Sequence, residues 1–300
     1  MEVIVAGAGS VGLLLGSFLS EAGMKVTMYV RREEQARLIQ TEGIRRINLD
    51  GTEDVFVVKS TTDIERLPKV GLWIVAVKYA DLKGLLSQMK EIAVRNPVLF
   101  IQNGIGHLNL AKMTEFPHIA FATVEHGALR LDDRSVSHNG TGMLTIAVSR
   151  GDNSLFHQIV ESNSTAFPVI LHADAEQILL RKVLINCMIN PLTALLEVEN
   201  GELLTNRYCN KLFKELYVEL MSAFPEMQSV LTYEIVEDVC KNTARNKSSM
   251  LMDRLEGRPM EIETIVTAVI QKALSDNQNL PLLSTFEKML YAIDGREEKR

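Results

Sequence analysis

Short apolar runs and longer amphipathic stretches alternate through the first half of the chain. Glu2–Ala6 reads as a buried strand, and a helix is predicted from about Ser10 to Ala22, stopping at Gly23, a natural residue just past a helix end. Lys25–Val30 reads as a second strand, and Leu72–Val77 and Val98–Ile101 as two more, with a helical stretch from Leu82 to Ala93 between them. Alternation of this kind predicts a parallel sheet covered by helices on both faces. Ile44–Leu49 and Asp54–Lys59, joined through Asp50-Gly51, read instead as a hairpin. Ile119–Val124, Ser135–His138 and Met143–Val148 are candidates to extend the sheet.

After about His172 the texture changes. From Ala175 to Asp294 the pattern is mostly helical, with breaks at Asn200-Gly201, Pro225, Gly257-Arg258-Pro259 and Leu280-Pro281. The reading is an α/β chain: a doubly wound sheet domain over residues 1–172, then an all-helical domain over residues 173–300. No long linker or internal repeat is visible, and the charged tail 295–300 is expected to fray.

The length of 300 residues fits two domains. A net charge of −6 argues against general affinity for nucleic acid or an anionic membrane, while leaving room for a local basic patch. Cys187, Cys209 and Cys240 are far apart with no C-x-x-C, which argues against a disulfide scaffold or zinc knuckle and makes a reducing cytosol the default. The histidines are scattered without ligand spacing, so no metal site is expected. The apolar run Ile4–Gly23 has no basic segment before it and is diluted by Gly7, Gly9, Gly12 and Gly16. A strand, a turn and a helix account for it better than a signal peptide or membrane span. A cytoplasmic protein is expected.

Gly7-Ala8-Gly9-Ser10-Val11-Gly12 fits G-x-G-x-x-G, with a strand before it, a helix after it and a second strand from Lys25. In this Rossmann-type setting Gly7 permits the turn, Gly9 lets a pyrophosphate approach the backbone, and Gly12 lets the helix pack on the sheet. A glycine turn without cofactor is the alternative. An NAD site usually has an acidic residue at the end of the second strand, for the ribose 2′-hydroxyl. Here Arg31 and Arg32 follow Val30. Guanidinium groups suit the dianionic 2′-phosphate, so NADPH/NADP+ is expected, unless both arginines are merely solvated.

In the helical half, Lys182, Asn186 and Asn190 recur every fourth residue among apolar neighbours. They form one polar stripe on a substantially buried helix. A buried lysine needs a partner, although a solvent-facing stripe remains the alternative. Asn246-Lys247-Ser248-Ser249 taken alone is no more than a turn and a helix cap.

Together these segments resemble the 2-dehydropantoate 2-reductase (ketopantoate reductase) family over essentially the whole chain. The resemblance rests on the glycine loop, Val77-Lys78, Ile101-Gln102-Asn103-Gly104 and His126-Gly127-Ala128. It continues through the Lys182/Asn186/Asn190 stripe with Pro191-Leu192-Thr193-Ala194, then Asn200-Gly201-Glu202-Leu203, Ser248-Ser249-Met250-Leu251 and Glu261-Ile262-Glu263. It implies NADPH-dependent reduction of 2-dehydropantoate to (R)-pantoate in pantothenate and coenzyme A synthesis, in a cleft between the domains. Lys182 would be the general acid, with Glu261 near the cofactor ribose orienting it. Asn103, Asn186, Asn190, Asn200, Asn246 and Ser249 would hold the substrate. Gly7, Ala8, Gly9, Ser10, Val11, Gly12, Arg31, Arg32, Lys78, Asn103, Ala128 and Glu261 would hold the cofactor. The expected partner is a small 2-oxoacid, with no nucleic acid and no membrane, in a monomer or homodimer. Two positions depart from the family pattern. Asp81 stands where many relatives carry an uncharged polar residue, and Glu125 where threonine is common; both bear on cofactor affinity more than on reaction type. A reductase for another branched 2-oxoacid and a non-catalytic NADP-binding regulator remain the alternatives.

Overall fold

The structure, a computed structural model, describes residues 1–295; apart from Gly295, the tail expected to fray lies outside the described residues. Two compact units emerge, residues 1–102 with 107–178, and residues 103–106 with 179 onward.

The first unit runs β1 (Glu2–Ala6), α1 (Ser10–Glu21), β2 (Lys25–Tyr29), α2 (Glu33–Glu42), β3 (Ile44–Ile47), β4 (Glu53–Phe56), β5 (Lys59–Thr61) and β6 (Leu72–Val75). It continues through α3 (Tyr79–Glu91), β7 (Val98–Phe100), α4 (His107–Lys112), β8 (Ile119–Val124), β9 (Gly127–Arg130), β10 (Ser135–Gly140), β11 (Leu144–Arg150), α5 (His157–Glu161) and β12 (Val169–His172). Eight strands form one sheet in the order β12-β11-β8-β7-β6-β1-β2-β5. Its neighbours are parallel except β8 and β11. β6, β7 and β8 are buried along their whole length, as strands covered on both faces must be.

β8 and β11 extend the sheet, but Ser135–His138 does not. It forms most of β10, which lies in a second sheet of order β4-β3-β10-β9. The predicted hairpin is β3 and β4 of that sheet, antiparallel from Ile44 opposite Phe56 to Ile47 opposite Glu53. Lys59, read as the end of the hairpin, instead opens β5 beside β2 in the main sheet. The reason is long-range: β10 finds its parallel partner in β3, some ninety residues earlier.

The second sheet explains why α1 is apolar all round. α1 packs on β1 and β2 of the main sheet and also on β3, β4, β9 and β10. Every residue from Gly12 to Leu19 is buried, the pattern of a helix enclosed on all sides. Strand order reverses between β1 and β6, and in doubly wound sheets ligands bind beyond the carboxyl ends of the strands at such a switch point.

Beside α1, His126 and His138 lie with Nδ1 and Nε2 3.2 Å apart. Phe18 and Phe167 stack at 4.6 Å and enclose the pair. Burial first, then the neighbouring His138, pushes His126 down to about 4; burial lowers His138 as well. Both rings are therefore neutral in the native state, and protons bind the unfolded chain first. Stability is full above about pH 6.5 and should fall from there toward about pH 4, by on the order of 2 kcal/mol. Urea midpoints taken across this range check the expectation. His126→Gln should flatten the decline, and an unchanged slope would place its cause elsewhere.

The second unit is helical: α6 (Ala175–Leu196, in this unit from residue 179), α7 (Glu202–Thr205), α8 (Arg207–Ala223), α9 (Tyr233–Asn242), α10 (Ser249–Leu255), α11 (Ala268–Ser275) and α12 (Pro281–Asp294). A π-helical turn, Glu263–Thr267, leads into α11. α6 is long and apolar enough to cross a membrane, yet 78% of its most apolar window is buried within the protein, as in a core helix.

Candidate functional site

The three glycines after β1 meet three different physical demands. Gly7 has φ +111°, and a Cβ there would lie 2.9 Å from the Ala76 carbonyl carbon and the Val77 nitrogen. At Gly12 a Cβ would overlap the Gly7 carbonyl oxygen, so only glycine lets α1 start this close to the loop. At Gly9 a Cβ would meet nothing within 4 Å, which leaves the backbone open to an incoming group. Gly9 is also the N-cap of α1 and offers no side-chain cap, so the first N–H groups of Ser10 and Val11 stay available for a phosphate. Ala8, within the loop, is buried.

Around this loop the structure assembles charge. β6 lies beside β1, and Lys78 follows β6 as the N-cap of α3, exposed. The Gln102 amide donates to the carbonyls of Val75 (2.8 Å) and Val77 (3.1 Å), which braces the end of β6. Arg31 and Arg32 leave β2 at the same edge of the sheet. Arg31 pairs with Asp81 at 3.0 Å, and Arg32 donates to Asp133. Ala128 lies on β9 opposite His138.

In the helical unit the stripe is real. Val183, Leu184, Ile185, Cys187, Met188 and Ile189 are buried, while Lys182 and Asn186 are half-buried and Asn190 is buried. The Asn190 amide donates to Ser249 Oγ at 3.4 Å. The two serines divide their tasks. Ser248 caps α10, accepting from the Leu251 N–H at 3.1 Å and sharing a 2.7 Å bond with Thr193 on α6. That leaves Ser249 exposed at the start of α10, beside Asn190. Arg254 on α10 donates to the carbonyls of Ala194 and Leu195 and pairs with Glu197, which fastens α10 to the last turn of α6. Asn200 joins the same segment: its N–H donates to the Asn246 carbonyl (3.0 Å) and its amide to Thr243 Oγ1 (2.9 Å). Asn200 Oδ1 is buried without a protein partner, an acceptor that a ligand hydroxyl or water can satisfy.

Asn103 belongs to this unit, and its amide lies 3.5 Å from Glu261 Oε2. Sequence reasoning missed what holds this contact. Gly104, at φ +79°, sits so close to Thr264 that any Cβ would overlap the Thr264 carbonyl oxygen. The Ile105 N–H donates to that carbonyl at 3.3 Å. Thr264 lies in the π-turn, where the i→i+5 pattern is interrupted helix and carbonyls can take outside donors. The next carbonyl, Ile265, accepts from Cys187 Sγ of α6 at 3.3 Å. One irregular turn thus anchors both the Asn103 loop and the helix carrying Lys182. The glycine after Asn103 was the only available signal. Among the described residues no group of three or more His, Cys, Asp or Glu is placed to hold a metal ion.

Comparison with known proteins matches residues 3–151 to the family described as "Ketopantoate reductase PanE/ApbA" and residues 174–294 to "Ketopantoate reductase PanE/ApbA C terminal". The chain is 34% identical to a 2-dehydropantoate 2-reductase of Listeria innocua serovar 6a, covering 98% of this chain and 97% of that one. It is 35% identical to the Bacillus subtilis enzyme of the same name, over 91% of each chain. Among solved structures, that of a probable 2-dehydropantoate 2-reductase from Bacillus subtilis superposes with a TM-score of 0.88 at 32% identity, covering 98% of this chain and 100% of that one. A D-mandelate dehydrogenase solved with NADH and anilino(oxo)acetate shares the fold, with a TM-score of 0.83 at 20% identity over 98% of this chain and 99% of that one.

Proposed function

The chain is an oxidoreductase of the ketopantoate reductase family, and from that premise we propose that it reduces the C2 ketone of 2-dehydropantoate to (R)-pantoate with a hydride supplied by NADPH. The observation that carries the reading is the polar stripe of α6: a lysine and two asparagines on one face of a buried helix, extended through Asn190 to Ser249.

The division of labour follows the two domains. Residues 1–172 hold the dinucleotide: Gly7 to Gly12 and the α1 N-terminus take the pyrophosphate, Arg31, Arg32 and Lys78 the additional phosphate charge, and Ala128 contributes backbone. The open Gly9 and the uncapped α1 N-terminus fit such a ligand. Residues 173–300, with Asn103, hold the oxoacid. Reduction leaves negative charge on the former carbonyl oxygen, so a cation able to give up a proton is required there. The Lys182 ammonium meets both needs. Asn186, Asn190, Asn200, Asn246 and Ser249 present amide and hydroxyl groups to the substrate carboxylate and hydroxyl. Glu261, tethered to Asn103, orients the lysine. Three buried free cysteines suit a reducing compartment, and we place the reaction in the cytoplasm.

A panel of branched 2-oxoacids assayed with NADPH and with NADH tests this reading. Ketopantoate with NADPH is expected to give the highest kcat/KM. KM values for the two cofactors within about threefold, roughly 0.65 kcal/mol, would remove the NADPH preference. Turnover of another branched oxoacid with none of ketopantoate would move the substrate. Tight NADPH binding with no oxoacid reduced would leave a regulator.

A further inference from the structure

The two arginines after β2 are not equivalent. Arg32 donates to Asp133, which also pairs with Arg130, and the Gln35 amide donates to the Asp133 carbonyl at 2.8 Å. The Arg32 hydrogen bond holds the Asp133 carboxyl below its usual range, with the charges of Arg32 and Arg130 adding to it. Arg32 is thus built into a cluster that ties the start of α2 to the β9–β10 turn. Arg31 donates to Asp81 Oδ1 at 3.0 Å, and Asp81 sits in the first turn of α3, three residues after Lys78. The side chains of Arg31 and Asp81 are 83% and 51% exposed. An ion pair so exposed contributes little to folding, so its effect is on whatever binds there.

Resting on the NADPH reading above, we propose that Asp81 is a specificity-determining residue that weakens the preference for a 2′-phosphorylated dinucleotide by occupying the Arg31 guanidinium. A 2′-phosphate drawn to Arg31 must displace the Asp81 carboxylate or remain beside it, and a dianion next to a carboxylate is repelled. A free ribose 2′-hydroxyl has the opposite relation to that carboxylate, because it can donate a hydrogen bond to it, as acidic residues do in NAD sites. Arg31 therefore favours NADPH and Asp81 favours NADH. The balance between them tunes the selectivity, with Arg32 and Lys78 adding to the Arg31 side.

The test is equilibrium titration of the full chain with NADPH, NADH and 2′,5′-ADP, a probe without nicotinamide, for the wild type, Asp81→Asn and Arg31→Gln. Asp81→Asn is expected to tighten NADPH and 2′,5′-ADP about tenfold at low salt and to leave NADH equal or weaker, with the gain shrinking as salt screens the pair. Its melting temperature should stay close to that of the wild type. Arg31→Gln should abolish most of the preference for the 2′-phosphate. An Asp81→Asn protein whose Kd ratio for NADPH and NADH stays within twofold of wild type, or that tightens both equally, overturns the inference and leaves the function untouched. A wild type that binds neither nucleotide overturns the functional reading and the inference with it.

Discussion

Lys182→Ala is expected to lower kcat for ketopantoate reduction by about 10²- to 10⁴-fold, the range over which a positioned acid or base accelerates proton transfer. The reason lies in where charge develops. Adding hydride to a ketone carbon turns the carbonyl oxygen into an alkoxide, and without an acid in place that charge has to be carried to a water molecule. Lys182 is half-buried on α6, with buried apolar residues on either side of its stripe, so it acts in a site poorer in water than the surface. The mutant should still bind NADPH within a few-fold of wild type, because the glycine loop, Arg31, Arg32 and Lys78, assigned to its phosphates, belong to the other unit. Stopped-flow or steady-state loss of NADPH absorbance gives kcat, and titration gives Kd. Turnover close to wild type in Lys182→Ala would take the lysine out of the mechanism. A loss shared equally by NADPH affinity would point to misfolding, which the melting temperature checks.

The residues most readable from the sequence are those whose demands are local. Each glycine of the Gly7–Gly12 loop answers a requirement within one strand-turn-helix unit, and the four-residue spacing of Lys182, Asn186 and Asn190 is a property of a single helix. The alternation of strands and helices likewise predicts the parallel sheet. What escapes a linear reading is set by partners far along the chain. Ser135–His138 has the pattern of a sheet strand, and nothing within it says that it pairs with β3 rather than β11. Asp81 stands out in the sequence only as an unusual charge; its bond to Arg31, fifty residues earlier, comes from the packing of α3. The π-turn at Glu263–Thr267 has no residue signature of its own, because the extra residue is accommodated by backbone geometry.

That turn gives Gly104 a consequence out of proportion to its size. Gly104→Ala is expected to lower kcat/KM for ketopantoate by about 10²-fold or more and to destabilise the chain by roughly 2–4 kcal/mol, an effect reserved for substitutions that force backbone apart. Two penalties act together. The residue sits at φ +79°, which alanine adopts only under strain, and a Cβ would overlap the Thr264 carbonyl oxygen, a backbone atom that cannot swing aside as a side-chain end can. Relief requires the 103–106 loop to lift from the π-turn. Lifting breaks the bond from the Ile105 N–H to Thr264 and carries the Asn103 amide away from Glu261. Displacements of about 1 Å at a positioning group can cost on the order of 10²-fold in rate. Gly12→Ala at the other loop is also disruptive, but it should act on NADPH binding, because its overlap is with Gly7. The pair therefore separates the two halves of the site: Gly104→Ala should spare binding of 2′,5′-ADP while losing turnover, and Gly12→Ala should lose both. Thermal melts, titration and steady-state kinetics on the two variants check this. A Gly104→Ala enzyme with wild-type turnover and melting temperature would mean that the loop does not rest on Thr264, and the positioning role given to Glu261 would fall with it.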